Sequence, residues 1–236
     1  MLELNCLYNF DCMDGMKQFP DKYFQLAIID PPFGGAGKDF SNGENFDERF
    51  DKHKPDISVH RTGGGYAAKY GKTIIEWDIA PGQEYFDELF RVSENQIIFG
   101  GNYFSLPPTR CFVVWDKHIP ENFTMAMCEY VWTSFNRNAK IVRIPPYGEC
   151  GNTSKYSEKR FHATQKPIKL YTWLLNQFAK TGDKILDTHV GSASLLIACY
   201  RAGYEYCGFE INEDYYKKAQ ARIENEKLQV RLEDIE

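Results

Sequence analysis

A chain of 236 residues with 43% hydrophobic content is enough for one substantial α/β domain and leaves little room for a second. No apolar run reaches the length of a membrane span and no basic–apolar leader opens the sequence, which argues against a membrane protein and a secretory signal. The seven cysteines are odd in number, irregularly spaced and without a CxxC pair, so reduced intracellular thiols are expected, with neither a disulfide framework nor a metal site.

In chain order, residues Leu2 to Phe33 read as a short strand, a turn, a short helix around Asp14 to Gln18, and the apolar strand Leu26 to Ile29. An all-apolar strand is buried on both faces. The residues that follow it, Asp30-Pro31-Pro32-Phe33, place a carboxylate where open α/β sheets bind ligands. The prolines fix the local backbone, so the loop cannot relax into a helix. A rigid acid, an exposed proline carbonyl and a ring would clamp a flat molecule carrying an amino group; by itself the segment also reads as a capped strand and a turn.

Residues 34–72 hold eight glycines and no sustained periodicity, the composition of a long mobile loop that could act as a lid or binding loop. A helix is expected over Pro81 to Arg91, with strands at Gln96 to Phe99, Cys111 to Trp115, Tyr130 to Trp132 and Ala139 to Ile144. Trp115 and Trp132 read as core residues. Pro167 opens a helix reaching about Ala179. The last part is a clear βαβα pattern: strand Lys184 to Leu186, helix Ser194 to Arg201, strand Tyr206 to Phe209, and a terminal helix from about Asn212 with Glu213 and Asp214 at its positive end.

Two features of this last part point to a cofactor. The turn Asp187-Thr188-His189-Val190-Gly191-Ser192 joins strand to helix, and Gly191 lets a ligand approach the backbone. Asp187 would repel a pyrophosphate but suits an ammonium group. Glu210, 23 residues on, ends the next strand, where doubly wound folds place an acid on ribose hydroxyls. Ammonium and ribose together suggest S-adenosylmethionine more than NAD, and the GxGxxG spacing is absent; another nucleotide or a structural turn stays open on this segment alone. The formal charge of -5 hides a basic stretch. From Arg137 to Lys169, eight basic residues face two acidic ones, a net of +6 that can bind phosphate.

Together these segments resemble the amino-group DNA methyltransferases, in the circular order where the catalytic loop precedes the cofactor turn, as in the beta-type enzymes and many phage relatives. Asp30-Pro31-Pro32-Phe33 is similar to the family's [DNS]-P-P-[YFW] catalytic motif, and Asp187 to Ser192 to its D-x-F-x-G-S motif. The resemblance implies cofactor contacts from Asp187, His189, Gly191 and Ser192, with Glu210 on the ribose. His162-Ala163-Thr164-Gln165-Lys166-Pro167 resembles the H-x-x-Q-K-P segment, implying contacts to the methionine end from His162, Gln165, Lys166 and Pro167. Phe10-Asp11-Cys12 is similar to the segment beside the cofactor adenine, implying roles for Asp11 and Cys12. The chain departs from the pattern at Thr188-His189, usually Pro-Phe, at Ala193, usually Gly, and at Phe33, usually Tyr.

The resemblance implies a three-layer, doubly wound, mostly parallel sheet of the S-adenosylmethionine-dependent, Rossmann-like kind with permuted motif order, forming a single domain over 1–236. It implies methyl transfer from S-adenosylmethionine to adenine N6 in double-stranded DNA, by direct in-line transfer to a flipped base. N4-cytosine chemistry and a non-catalytic relative are the alternatives. Asn102 and Tyr103 are expected near the flipped base, Tyr103 reading equally as a core residue, and Lys155, Lys159 and Arg160, in a DNA-contacting loop over 145–161, on phosphates. His53 and His60 are expected only to decorate the long loop. A cytoplasmic bacterial enzyme is expected, of phage or prophage origin and either monomer or homodimer, with no membrane partner.

Overall fold

Phe24–Ile29 (β2) is apolar at five of its six positions, and the sheet is built outward from it. The computed structural model describes residues 1–34, 79–122, 126–146, 161–162 and 164–233, with side chains up to residue 229. The chain divides into two units, Met1–Pro31 with Pro81–Glu236, and Pro32–Ala80. Most of the glycine-rich loop of the second unit, with His53 and His60, lies outside the described residues, as does the segment carrying Lys155, Lys159 and Arg160.

In the larger unit the elements are β1 (Cys6–Tyr8), α1 (Cys12–Met16), β2, α2 (Gln83–Val92), β3 (Ser93–Phe99), a 3-10 turn (Gly101–Tyr103), β4 (Phe112–Asp116), β5 (Cys128–Thr133), β6 (Lys140–Arg143), α3 (Ile168–Phe178), β7 (Lys184–Asp187), α4 (Ser194–Ala202), β8 (Glu205–Phe209) and α5 (Glu213–Glu233). Among the described residues the strands form one sheet in the order β1-β8-β7-β2-β3-β5-β4-β6. Among these described strands only β5 runs antiparallel to its neighbours, β3 and β4. The expected doubly wound, mostly parallel architecture is what forms.

Strand alternation divides the core. Leu26 and Ile28 of β2, Ile97 and Phe99 of β3 and Ile185 of β7 pack with residues of α3, α4 and α5 on one face. Ala27, Ile29, Ile98, Leu186, Cys207 and Phe209 pack with α1 and α2 on the other. A ten-residue helix is marginal alone. What holds α2 is its stripe of Tyr85, Phe86, Leu89 and Val92, all buried, at about 1.5–3 kcal/mol for each fully buried large apolar side chain.

Helix boundaries differ from the sequence expectation where caps intervene. α1 begins at Cys12 and not near Asp14, because the Asp11 side chain accepts from Met13 N and caps it. α2 runs straight into β3 at Ser93, whose hydroxyl donates to Leu89 O, so the strand starts three residues before Gln96. α1 sits close against the sheet: a Cβ on Gly15 would stand 2.4 Å from Cε1 of Phe209, a fully buried ring. Gly15→Ala is therefore expected to cost about 1–2 kcal/mol in urea unfolding, overpacking outweighing the gain in helix propensity. An unchanged or raised stability would show that α1 can move away from the ring.

Candidate active site

The sheet reverses its winding between β7 and β2. From β7 the chain crosses through α4 to β8 on one side, and from β2 through α2 to β3 on the other. This switch point is where such folds hold ligands, beyond the carboxyl ends of the strands. Four acids stand there on neighbouring parallel strands: Asp11 after β1, Glu210 after β8, Asp187 ending β7 and Asp30 after β2.

Asp187 is the last residue of its strand and is buried. Its Oδ1 accepts from His189 N at 3.1 Å, and no cation pairs with it among the described residues. Burial pushes its carboxyl up to about 8. Once ionised, such a group can pair with a cation brought from outside. The turn beyond it has positive φ at Gly191 (51°) and at Ala193 (63°), and Ser194 then opens α4. A Cβ on Gly191 would lie 3.2 Å from the His162 ring, so the turn and the His162–Pro167 segment are packed edge to edge. Glu210 is held over the same turn, Oε2 accepting from Gly191 N at 2.8 Å and Oε1 from Asn212 N at 2.9 Å. Burial nevertheless raises its carboxyl above the usual value.

Asp30 does not stand alone. Lys166 donates to its Oδ2, and the same ammonium lies 3.5 Å from Oε2 of Glu129 at the start of β5. Lys117, after β4, donates to Glu129 Oε1 at 2.6 Å. Two acids and two bases thus form a balanced cluster, with Lys166 only 5% exposed and seated over the Phe99 ring at 4.5 Å. Burial raises the Asp30 carboxyl, Lys166 opposing. At Lys166 burial disfavours the charge, but Asp30 and Glu129 outweigh it and hold the ammonium above the ordinary lysine value. Glu129 is held below the usual carboxylate range because its two lysines outweigh its burial.

A DNA methylase family model covering the N6 and N4 enzymes matches residues 101–221, just over half of the chain. The chain belongs to this DNA methylase family. The Type II methyltransferase M1.MboII of Moraxella bovis is 22% identical over 254 residues, spanning 93% of this chain and 96% of the relative. M.HpaI of Haemophilus parainfluenzae, also a Type II methyltransferase, is 24% identical over 92% of this chain and 73% of its own. In fold, the chain resembles a DNA modification methylase of Thermus thermophilus, TTHA0409, complexed with S-adenosyl-L-methionine, with a TM-score of 0.51 at 17% identity over 93% and 95% of the two chains. It also resembles the cytosine-N4-specific PvuII DNA methyltransferase, with a TM-score of 0.54 at 11% identity over 91% and 84%.

In this methylase the departure at Thr188-His189 is accommodated by a residue that the sequence assigns only to a helix face. Tyr85 of α2 shares a 2.5 Å hydrogen bond with the Thr188 hydroxyl, which bonds in turn to His189 Nδ1 at 2.9 Å. The Tyr85 ring meets the imidazole edge-on, with centroids 5.4 Å apart. Burial lowers the His189 pKa to about 4, so a neutral ring occupies this position at neutral pH.

The other expected site residues of the methylase fall into four groups. His162 packs on Tyr215, and Gln165 and Pro167 are buried in the segment beside the turn. Cys12 opens α1 with its thiol pushed up to about 12, mainly by burial, so it is no thiolate at neutral pH. Asn102 and Tyr103 lie exposed on the 3-10 turn after β3, and Tyr103 at 61% exposure is no core residue. Pro31 is buried after Asp30, and Pro32 and Phe33 follow in the second unit without regular secondary structure. Trp115 and Trp132 are core residues as expected, their ring nitrogens donating to Ile144 O and Pro107 O.

Lys166, which the sequence places both among the cofactor contacts and within a phosphate-binding stretch, pairs its ammonium with Asp30 and Glu129. Arg143 pairs with Asp116 and Arg137 donates to Gln177 O, so part of the basic stretch is also engaged within the protein. Glu129 and Lys117 were missed. The signal for Glu129 lies in β5: Val131 faces the core, so Glu129, two residues earlier, places an acid on the same inward face.

Proposed function

We propose that this methylase transfers a methyl group from S-adenosyl-L-methionine to the exocyclic N6 of adenine in duplex DNA, by direct in-line attack of a base flipped from the helix. The observation that carries the reading is Asp30, a carboxylate and not a serine, fixed by its loop at the carboxyl end of β2 beside the cofactor-type turn. An exocyclic amino nitrogen is a poor nucleophile because its lone pair is delocalised into the ring. Hydrogen bonds donated by that amino group to Asp30 and to the Pro31 carbonyl would localise the lone pair and aim it. Phe33, three residues on, supplies a stacking face for the extruded base.

S-adenosyl-L-methionine supplies an electrophilic methyl on a sulfonium. The chain's part is to hold and orient it: Asp187 for the ammonium, the open backbone at Gly191 and Ser192 for close approach, Glu210 for the ribose hydroxyls, and Asp11 with Cys12 at the adenine end. His162, Gln165 and Pro167 border the turn at the methionine end, and neutral His189 fills the place of the family's ring. Positioning and electrostatics carry the catalysis, with no covalent enzyme intermediate. Lys155, Lys159 and Arg160 are assigned to DNA phosphates, and Asn102 and Tyr103 to the flipped base. The domain is read as single, with the 34–72 and 145–161 segments serving duplex recognition.

The reading has a pH signature. Below about 8 the Asp187 carboxyl is protonated in the free protein, and binding an ammonium beside it must expel that proton. Cofactor affinity is therefore expected to rise roughly tenfold per pH unit between about pH 6 and 8, then stop rising as Asp187 ionises and the cofactor's own amino group begins to lose its proton. Equilibrium binding of S-adenosyl-L-methionine across this range tests it, and a flat profile would remove Asp187 as the ammonium's partner. For function itself, the enzyme should move labelled methyl onto unmethylated genomic duplex DNA and none onto DNA it has already saturated.

A further inference from the structure

We infer that Lys166 is a two-position ammonium, bonded to Asp30 before the target base arrives and transferred to Glu129 when the base's amino group takes Asp30, which makes Glu129 a positioning residue for catalysis. This rests on the proposed role of Asp30 as acceptor for that amino group.

Four observations converge on it. Asp30 has its Oδ2 already taken by Lys166, so an arriving amino donor meets a carboxylate paired to a buried cation. Among the described residues, buried Glu129 Oε2 has no partner at ordinary hydrogen-bond geometry, only the ion pair with the same ammonium at 3.5 Å. An unsatisfied buried carboxylate oxygen costs free energy unless something fills it in another state. A movement of well under 1 Å would shorten that contact to an ordinary charge-assisted hydrogen bond. Lys117 meanwhile anchors the other oxygen, Oε1, at 2.6 Å, so the receiving carboxylate is held still while the ammonium moves. The Phe99 ring under Lys166 gives the cation a face along which to shift.

The exchange is charge-neutral within the protein. No proton moves and no covalent bond is made or broken: Lys166 keeps its three donors and changes which carboxylate it satisfies best. Without Glu129 as a second anchor, freeing Asp30 would strand a buried ammonium, which is expensive. The cluster thus allows Asp30 to be masked in the resting enzyme and released on demand.

The test is Glu129→Gln, which keeps shape and removes the receiving charge, beside the double variant Glu129→Gln/Lys117→Met, which restores a balanced cluster. Single-turnover methylation of duplex DNA, cofactor affinity and melting temperature are read on each. Exchange requires Glu129→Gln to lower the methylation rate about 10- to 100-fold with cofactor and DNA affinity within about twofold of wild type, and requires the double variant to be equally slow. Recovery of rate in the double variant would show that Glu129 merely balances charge, and would overturn the exchange. So would a rate within twofold of wild type in Glu129→Gln. Should the single variant lose its fold, the charge-balanced double variant decides the question by the same criterion. Asp30→Asn separates this inference from the one beneath it: if that variant still transfers methyl at the wild-type rate, the role of Asp30 fails first.

Discussion

Asp30→Asn is expected to slow methyl transfer by about 10³-fold while cofactor affinity stays within a few-fold. Asparagine keeps the size of the side chain and can still accept one hydrogen bond through its carbonyl. It lacks the charge that favours a nitrogen turning cationic as the methyl arrives, and electrostatic and proton-accepting groups of this kind are worth about 10² to 10⁴ in rate. The effect should fall on the chemical step, since the residues assigned to the cofactor lie after β1, at the ends of β7 and β8, in the turn after β7 and in the His162–Pro167 segment, and do not include Asp30. Single-turnover rates at saturating cofactor measure it. Transfer within tenfold of wild type would mean that Asp30 does not face the reacting nitrogen. Stability must be followed in parallel, because the substitution takes one carboxylate from Lys166 and leaves it Glu129 at 3.5 Å.

Lys166→Met is expected to be the most destabilising of the substitutions considered, by about 3–5 kcal/mol at neutral pH. The ammonium is shared by two acids in a buried cluster, and its removal leaves Asp30 without a cation and Glu129 with Lys117 alone. Breaking a buried pair from one side costs about that much, because the remaining charge keeps its desolvation penalty. The sign of the pH dependence follows. Burial already raises the Asp30 carboxyl above its unfolded value, and loss of Lys166 raises it further. A carboxyl so raised favours the folded state at low pH, and that contribution is lost as pH rises through the folded pKa. The deficit relative to wild type should therefore be smallest in acid, near the ordinary carboxylate range, and grow as the pH is raised above it in urea unfolding. A constant deficit across that range would place the damage in lost packing over Phe99 and not in stranded charge.

The fold was legible because its strands are buried on both faces. Phe24–Ile29 and the βαβα run from Lys184 onward could be read from apolar runs and the residues that punctuate them, and they meet at the switch point where Asp30 and Asp187 stand. The carboxylates at strand ends were legible for the same reason, since a strand's end fixes its side chain at the sheet's edge. The antiparallel place of β5 between β3 and β4 was not, because periodicity carries no strand order. Partners distant in sequence were equally hidden: 136 residues separate Lys166 from Asp30, and nothing local to either names the other. Tyr85 reads as one more apolar position on a helix, and only the packing of α2 over the β7 turn brings its hydroxyl to Thr188.

Asp30 as adenine's partner is tested most directly by the identity of the methylated nucleoside. Purified enzyme, methyl-labelled S-adenosyl-L-methionine and unmethylated duplex DNA are incubated, the DNA is digested, and the labelled nucleoside is identified. Label in N6-methyladenine, absent with Asp30→Asn, is the expected result. Label in N4-methylcytosine would contradict the adenine assignment while keeping the in-line chemistry, and no label from enzyme that binds the cofactor would contradict catalysis on DNA altogether.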